Sequence, residues 1–222
     1  MRERETDWFA RLTGFREGTY EDTQRRLQVQ DGRLLHVDGQ RNWGMGRLET
    51  PSLAELRARA QALPQGSARL KVSIVHGAAQ ELHADQAHRH AMFQAASQFN
   101  LLEMVSQEVS PEDGVTRYAH DATQGPACAI AAGAGTIFRN YLVDLPDGRG
   151  QTRERQIDCL ADLGAALGNA GGELWFMRNG YAMFDGDGPD GDGLERVNDR
   201  IGNLTASEFV NAEGHLRIGV HR

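Results

Sequence analysis

Apolar positions recur along this chain with two periods, and each period predicts an element. In the first 46 residues they are sparse and broken by turn pairs. Leu34-Leu35-His36-Val37 lies between Asp31-Gly32 and Asp38-Gly39 and predicts a strand of a small β-rich lead-in, with Asn42-Trp43-Gly44 opening the next connection. Leu53, Leu56, Ala60 and Leu63 then follow helical spacing. Ser52 and Glu55 form a capping-box pair ahead of that helix and Pro64 ends it. Residues 70–75 alternate apolar and polar and predict a strand that stops at His76-Gly77. Residues 91–97 form a second apolar segment whose small side chains suit a central sheet, after a His-rich short helix or loop. From Asn100 the chain leads to the turn Ser110-Pro111-Glu112-Asp113-Gly114.

Pro126 suits the first position of a helix, where its missing N–H costs nothing, and Thr123 or Gln124 stands where a cap belongs. The Ala- and Ile-rich run that follows to Tyr141 predicts one buried helix, with Gly133 and Gly135 allowing close contact. Residues 151–167 predict another, with Ile157, Leu160, Leu163 and Leu167 as its stripe and Gly168 as its stop. Arg178-Asn179-Gly180 between two apolar runs is a hairpin signal. A Gly/Asp loop over 185–193, a short helix over 194–201 and a strand over 216–220 close the chain. Strands alternating with helices predict a mixed α/β layer fold. We divide it into a lead-in with its capped helix, residues 1–66, and an α/β domain, residues 67–222, together one compact unit.

Charge and composition narrow the classes. With 24 basic and 31 acidic side chains the formal charge is −7, which argues against a protein that wraps a nucleic-acid backbone. The chain starts with the charged run MRERET, and no stretch approaches the roughly 18 apolar residues of a membrane helix, so the expectation is a cytoplasmic protein without a membrane partner. Two cysteines, neither in a Cys-x-x-Cys pair, predict reduced thiols. Glycine is the unusual residue, at 26 of 222, and it is concentrated in particular loops.

The segment from Asp121 to Pro126 has the form of an anion site: a helix N-terminus offers unpaired N–H groups, and Gly125 lets a phosphate approach the backbone. A tight turn before a packed helix accounts for the same residues. Neither the dinucleotide-binding glycine pattern nor the P-loop pattern is present at this turn. Cys128 lies near the start of that helix, where the dipole would lower a thiol pKa; with Gln124 as oxyanion donor and His215 as base it sketches a cysteine hydrolase. The spacing departs from the papain pattern, and a small buried cysteine is the favoured alternative. His76, His83, His88, His90 and His120 lack the i, i+4 spacing of zinc ligands, so no metal is assigned. The acidic loop 185–193 fits no calcium-binding register, with Glu195 at the eleventh position rather than the twelfth.

Three segments carry a resemblance to a family: Val72-Ser73-Ile74-Val75-His76-Gly77-Ala78, Phe93-Gln94-Ala95-Ala96-Ser97-Gln98-Phe99-Asn100 and Thr123-Gln124-Gly125-Pro126-Ala127. In order and spacing, over roughly residues 70 to 145, they resemble a divergent bacterial branch of the macrodomain superfamily, which includes the poly(ADP-ribose) glycohydrolases. The resemblance implies a three-layer α/β/α fold with a mixed sheet and a site for ADP-ribose or an ADP-ribosylated substrate, with no cofactor. In ordinary macrodomains an Asp follows the glycine that is Gly77 here, and Ala78 occupies that place. Ser97 stands where the distal-ribose Asn is usual, with Asn100 close by. The triple-glycine loop and the glycohydrolase Gln-Glu-Glu signature are absent.

The resemblance and the anion-site reading together define an expected site. Gly77, Gln94, Ser97 and Asn100 come from strand ends, and Thr123, Gln124, Gly125 and Ala127 surround the phosphate. Asp121 and Glu103 are the candidate catalytic carboxylates. The expected function is binding of ADP-ribose or a related nucleotide diphosphate, with hydrolysis of an ADP-ribosyl bond as its enzymatic form. A Cys128-dependent hydrolase and a non-catalytic interaction module are the alternatives.

Overall fold

The computed structural model describes residues 7–64, 66, 71–92, 97–121 and 123–184. The chain folds into two units: Met1–Cys159 together with Arg178–Tyr181, and Leu160–Met177 together with Ala182–Arg222. Among the described residues the architecture is mixed α/β, built from short helices and small antiparallel sheets.

The first unit opens with two short helices, α1 (Trp8–Thr13) and α2 (Tyr20–Arg25). Asp7 caps α1 by accepting from Ala10 N, and Gly14 ends it in the left-handed conformation. Strands β1 (Leu27–Gln30), β2 (Arg33–His36) and β3 (Asn42–Gly44) form an antiparallel sheet in that order. Asp31 and Gly32 both take positive φ in the β1–β2 turn, as a two-residue hairpin of this twist requires. Leu34 pairs with Val29 on one side and Trp43 on the other, and is fully buried. The residues expected to open a connection, Asn42-Trp43-Gly44, are instead the third strand.

Helix α3 (Leu53–Ala62) carries the expected capping box, with Ser52 N donating to Glu55 Oε2 at 2.7 Å and Glu55 N to Ser52 Oγ at 3.2 Å. Its Leu56 is exposed, as is Leu63 just past its end. Residues 71–76 correct the strand expected over 70–75: they are irregular and open to solvent, with Val72 77% and Ile74 89% exposed. Alternation forms a strand only where a neighbour takes its N–H and C=O groups, and among the described residues none does. Helix α4 (Ala79–Ala84) and a 3-10 turn (Gln86–His88) follow. Most of the apolar segment expected over 91–97 lies outside the described residues.

The helix expected through Tyr141 is two helices, α5 (Gln124–Ala132) and α6 (Ala134–Tyr141), broken at Gly133 with φ 54°. Pro126 is the third residue of α5, not the first, and is still within the turn whose N–H groups have no intrahelical partner. The short hairpin β4 (Asp144–Leu145) and β5 (Gly148–Arg149) comes next. The helix expected from 151 begins only at Ala161. Gln151 is fully buried and uses its side chain to bond Asn100 O, Arg139 O and Ile157 N, which holds its segment out of a helix.

One core joins the lead-in to the centre of the chain. Trp8, Phe9, Tyr20, Leu27 and Leu34 pack with Val115, Tyr118, Ile137 and Tyr141. Glu17 pins the two stretches together: it accepts from Val115 N and Thr116 N, both at 2.8 Å, and from Tyr141 Oη at 2.7 Å. In the second unit, α7 (Ala161–Leu167) ends at left-handed Gly168, and Asn169 bonds Leu174 N and Trp175 O, both at 2.8 Å. Strands β6 (Phe176–Arg178) and β7 (Tyr181–Met183) form the expected hairpin, with Asn179 and Gly180 at φ 47° and 82°. The loop, helix and strand expected over 185–220 lie outside the described residues. No helix among them is long and apolar enough to cross a membrane.

Candidate functional site

The loop 97–104 reaches its shape through side chains that imitate backbone partners. Gln98 accepts from Met104 N at 2.7 Å and donates to Met104 O at 2.9 Å, pairing with that residue as a strand would. Tyr181 Oη donates to the same carbonyl at 2.6 Å. Asn100 is fully buried, accepts from Leu102 N at 3.0 Å and donates to Gln156 Oε1 at 2.9 Å. Leu101 sits between them at φ 61°, a conformation uncommon for a leucine that this network stabilises. These bonds hold the backbone on both sides of Glu103.

Glu103 is 9% exposed. Burial pushes its carboxyl up to about 7; the Ser97 hydroxyl and the Arg139 guanidinium pull the other way, and Asp121 adds to the rise. Its backbone N–H donates to Tyr118 Oη at 2.9 Å. Tyr118 is fully buried and its phenol is held protonated by that burial. Burial lowers Arg139 from its ordinary value, against the pull of Tyr118 and Glu103. Arg139 Nη2 donates to Thr136 Oγ1 at 2.9 Å, and Thr136 Oγ1 in turn donates a hydrogen bond to Ala129 O at 2.6 Å, tying α6 back to α5.

Asp121 stands at the entry to α5. It accepts from Thr123 Oγ1 at 2.6 Å and Thr123 N at 2.8 Å, and these bonds hold its carboxyl below the usual range. Thr123 occupies the cap position without capping α5 through its side chain. Gly125 and Pro126 are buried, Thr123 and Gln124 exposed, Ala127 half-buried. Cys128 is half-buried one turn on, and its thiol is pushed up by burial and then by the charge of Glu103. The lowered thiol pKa expected from the helix start is therefore reversed.

Of the expected residues, Ser97, Asp121 and Cys128 lie within electrostatic reach of Glu103. Asn100 supports the loop from within. Gly77 is exposed, two residues before α4, which packs on α5. Gln94 lies outside the described residues, as does His215. Among the described residues no group of three or more His, Cys, Asp or Glu could hold a metal ion. Sequence reasoning missed Tyr118, Thr136 and Arg139. The available signal was Arg139 itself, a charge directly after Ile137-Phe138 in an otherwise uncharged helix. Comparison of the chain with protein-family models, curated proteins and solved structures finds no match.

Proposed function

We propose that this chain binds ADP-ribose or a related nucleotide diphosphate in the cytoplasm and hydrolyses an ADP-ribosyl bond at Glu103. The observation that carries the acid/base part is the contrast between two carboxyls: Glu103 is kept protonated to about pH 7 by burial, while hydrogen bonds from Thr123 keep Asp121 ionised. Two carboxyls with proton affinities driven apart are the requirement for one acid and one base. Glu103 then protonates the leaving oxygen and Asp121 orients the attacking water. The first turn of α5, which has no side-chain cap, faces the diphosphate with its N–H groups. The ligand class and the three-layer macrodomain arrangement rest on the sequence resemblance over residues 70 to 145.

Isothermal titration with ADP-ribose, against AMP and NAD, tests the binding. Release of ADP-ribose from an ADP-ribosylated protein, by the wild type and by Glu103→Gln, tests the chemistry. Selective binding with release abolished in Glu103→Gln is the expected result. Binding without release makes the chain an interaction module, and no binding overturns the proposal.

A further inference from the structure

Arg139 uses only part of its hydrogen-bonding capacity. Nη2 is committed to Thr136, the Nε–H is enclosed without an acceptor, and no acceptor among the described residues takes Nη1. No ion pair among the described residues includes Arg139. Arg139 is half-buried, the charge of Glu103 offsets only part of the cost of that burial, and the planar guanidinium fork matches the oxygens of a phosphate. Thr136 is fully buried and bonded to Ala129 O, so the guanidinium is tied to the middle of α5, the helix that starts at Gln124, three residues after Asp121.

We propose that Arg139 is the anion-recognising residue of the site, taking a phosphate oxygen of the ligand, with Thr136 as the residue that positions it. The inference rests on reading the Glu103 centre as a nucleotide-diphosphate site. Glu103 fits this role as a neighbour, because in its protonated form it does not repel the incoming anion.

The test titrates inorganic pyrophosphate and ADP-ribose into the full chain as wild type, Arg139→Gln, Arg139→Lys and Thr136→Val, with thermal melting to report that each variant folds. Arg139→Gln should weaken both ligands about 10- to 100-fold, the factor of a lost charge-assisted hydrogen bond. Arg139→Lys should recover part of that loss, and Thr136→Val should weaken binding by a smaller factor. In the wild type, the Arg139 Nε–H resonance should move when pyrophosphate is added, a readout independent of any variant's folding. Equal ADP-ribose affinity in wild type and Arg139→Gln overturns this inference and leaves the proposed function standing. Pyrophosphate binding that depends on Arg139 without ADP-ribose binding does the reverse. An unmoved resonance with neither probe bound overturns both.

Discussion

The backbone N–H of Glu103 donates to the hydroxyl of Tyr118 at 2.9 Å, across 15 residues of chain. A buried phenol thereby fixes the backbone of the one carboxyl in the site that holds its proton near neutrality. Tyr118→Phe keeps the ring and leaves that N–H without its acceptor. We expect a loss of about 1–3 kcal/mol of stability, the cost of an unsatisfied buried donor, measured as a lowered urea midpoint at unchanged slope.

Glu103 also makes stability depend on pH. Its ordinary value is 4.5 and its folded value about 7, so between the two the folded chain keeps a proton that the unfolded chain has released. Stability is therefore highest below the lower value and declines as pH rises through the upper one, by on the order of 3 kcal/mol. Glu103→Gln should remove this part of the decline and be the more stable protein in mildly alkaline solution. Parallel pH profiles for the two proteins would remove Glu103 as the cause.

Cys128 should behave as a reluctant thiol. Burial and the negative charge of Glu103 both oppose its ionisation. Iodoacetamide labelling is expected to be slow at neutral pH and to rise only above the ordinary thiol range of about 8.5. In Glu103→Gln the same rise should come at lower pH. Rapid labelling of the wild type in mild acid would instead bring the cysteine-hydrolase alternative forward.

Gly180 supports the Glu103 loop from the hairpin turn. It has φ 82°, and a Cβ there would strike the Asn100 side-chain amide and lie 2.8 Å from Gln98 Cβ. Gly180→Ala should cost about 1–3 kcal/mol through combined strain and collision. Gly39, at φ 72° with open space around it, isolates the conformational part. Gly39→Ala should cost about 1 kcal/mol at most, and equal melting temperatures for the two variants would show that the contact with the loop carries no weight.

What could be read from the sequence is what a few neighbouring residues decide. The capping box of Ser52 and Glu55, the left-handed turns at Asp31-Gly32 and Asn179-Gly180, and the stop at Gly168 each close hydrogen bonds or set φ within about one turn of chain. Periodicity misled where the outcome depended on distant partners. Residues 71–76 alternate like a strand but find no neighbour among the described residues, and residues 151–160 read as helix until Gln151 is drawn inward by Asn100 and Arg139. The candidate site divides the same way. Asp121, Thr123 and Gly125 were visible because the start of a helix has a local signature, and Glu103 was named only as a candidate carboxylate with no local pattern around it. Its proton affinity, the phenol beneath it and the guanidinium beside it come from segments 15 and 36 residues further along the chain. Burial and charge act through space, so the tertiary structure alone decided which carboxyl keeps its proton.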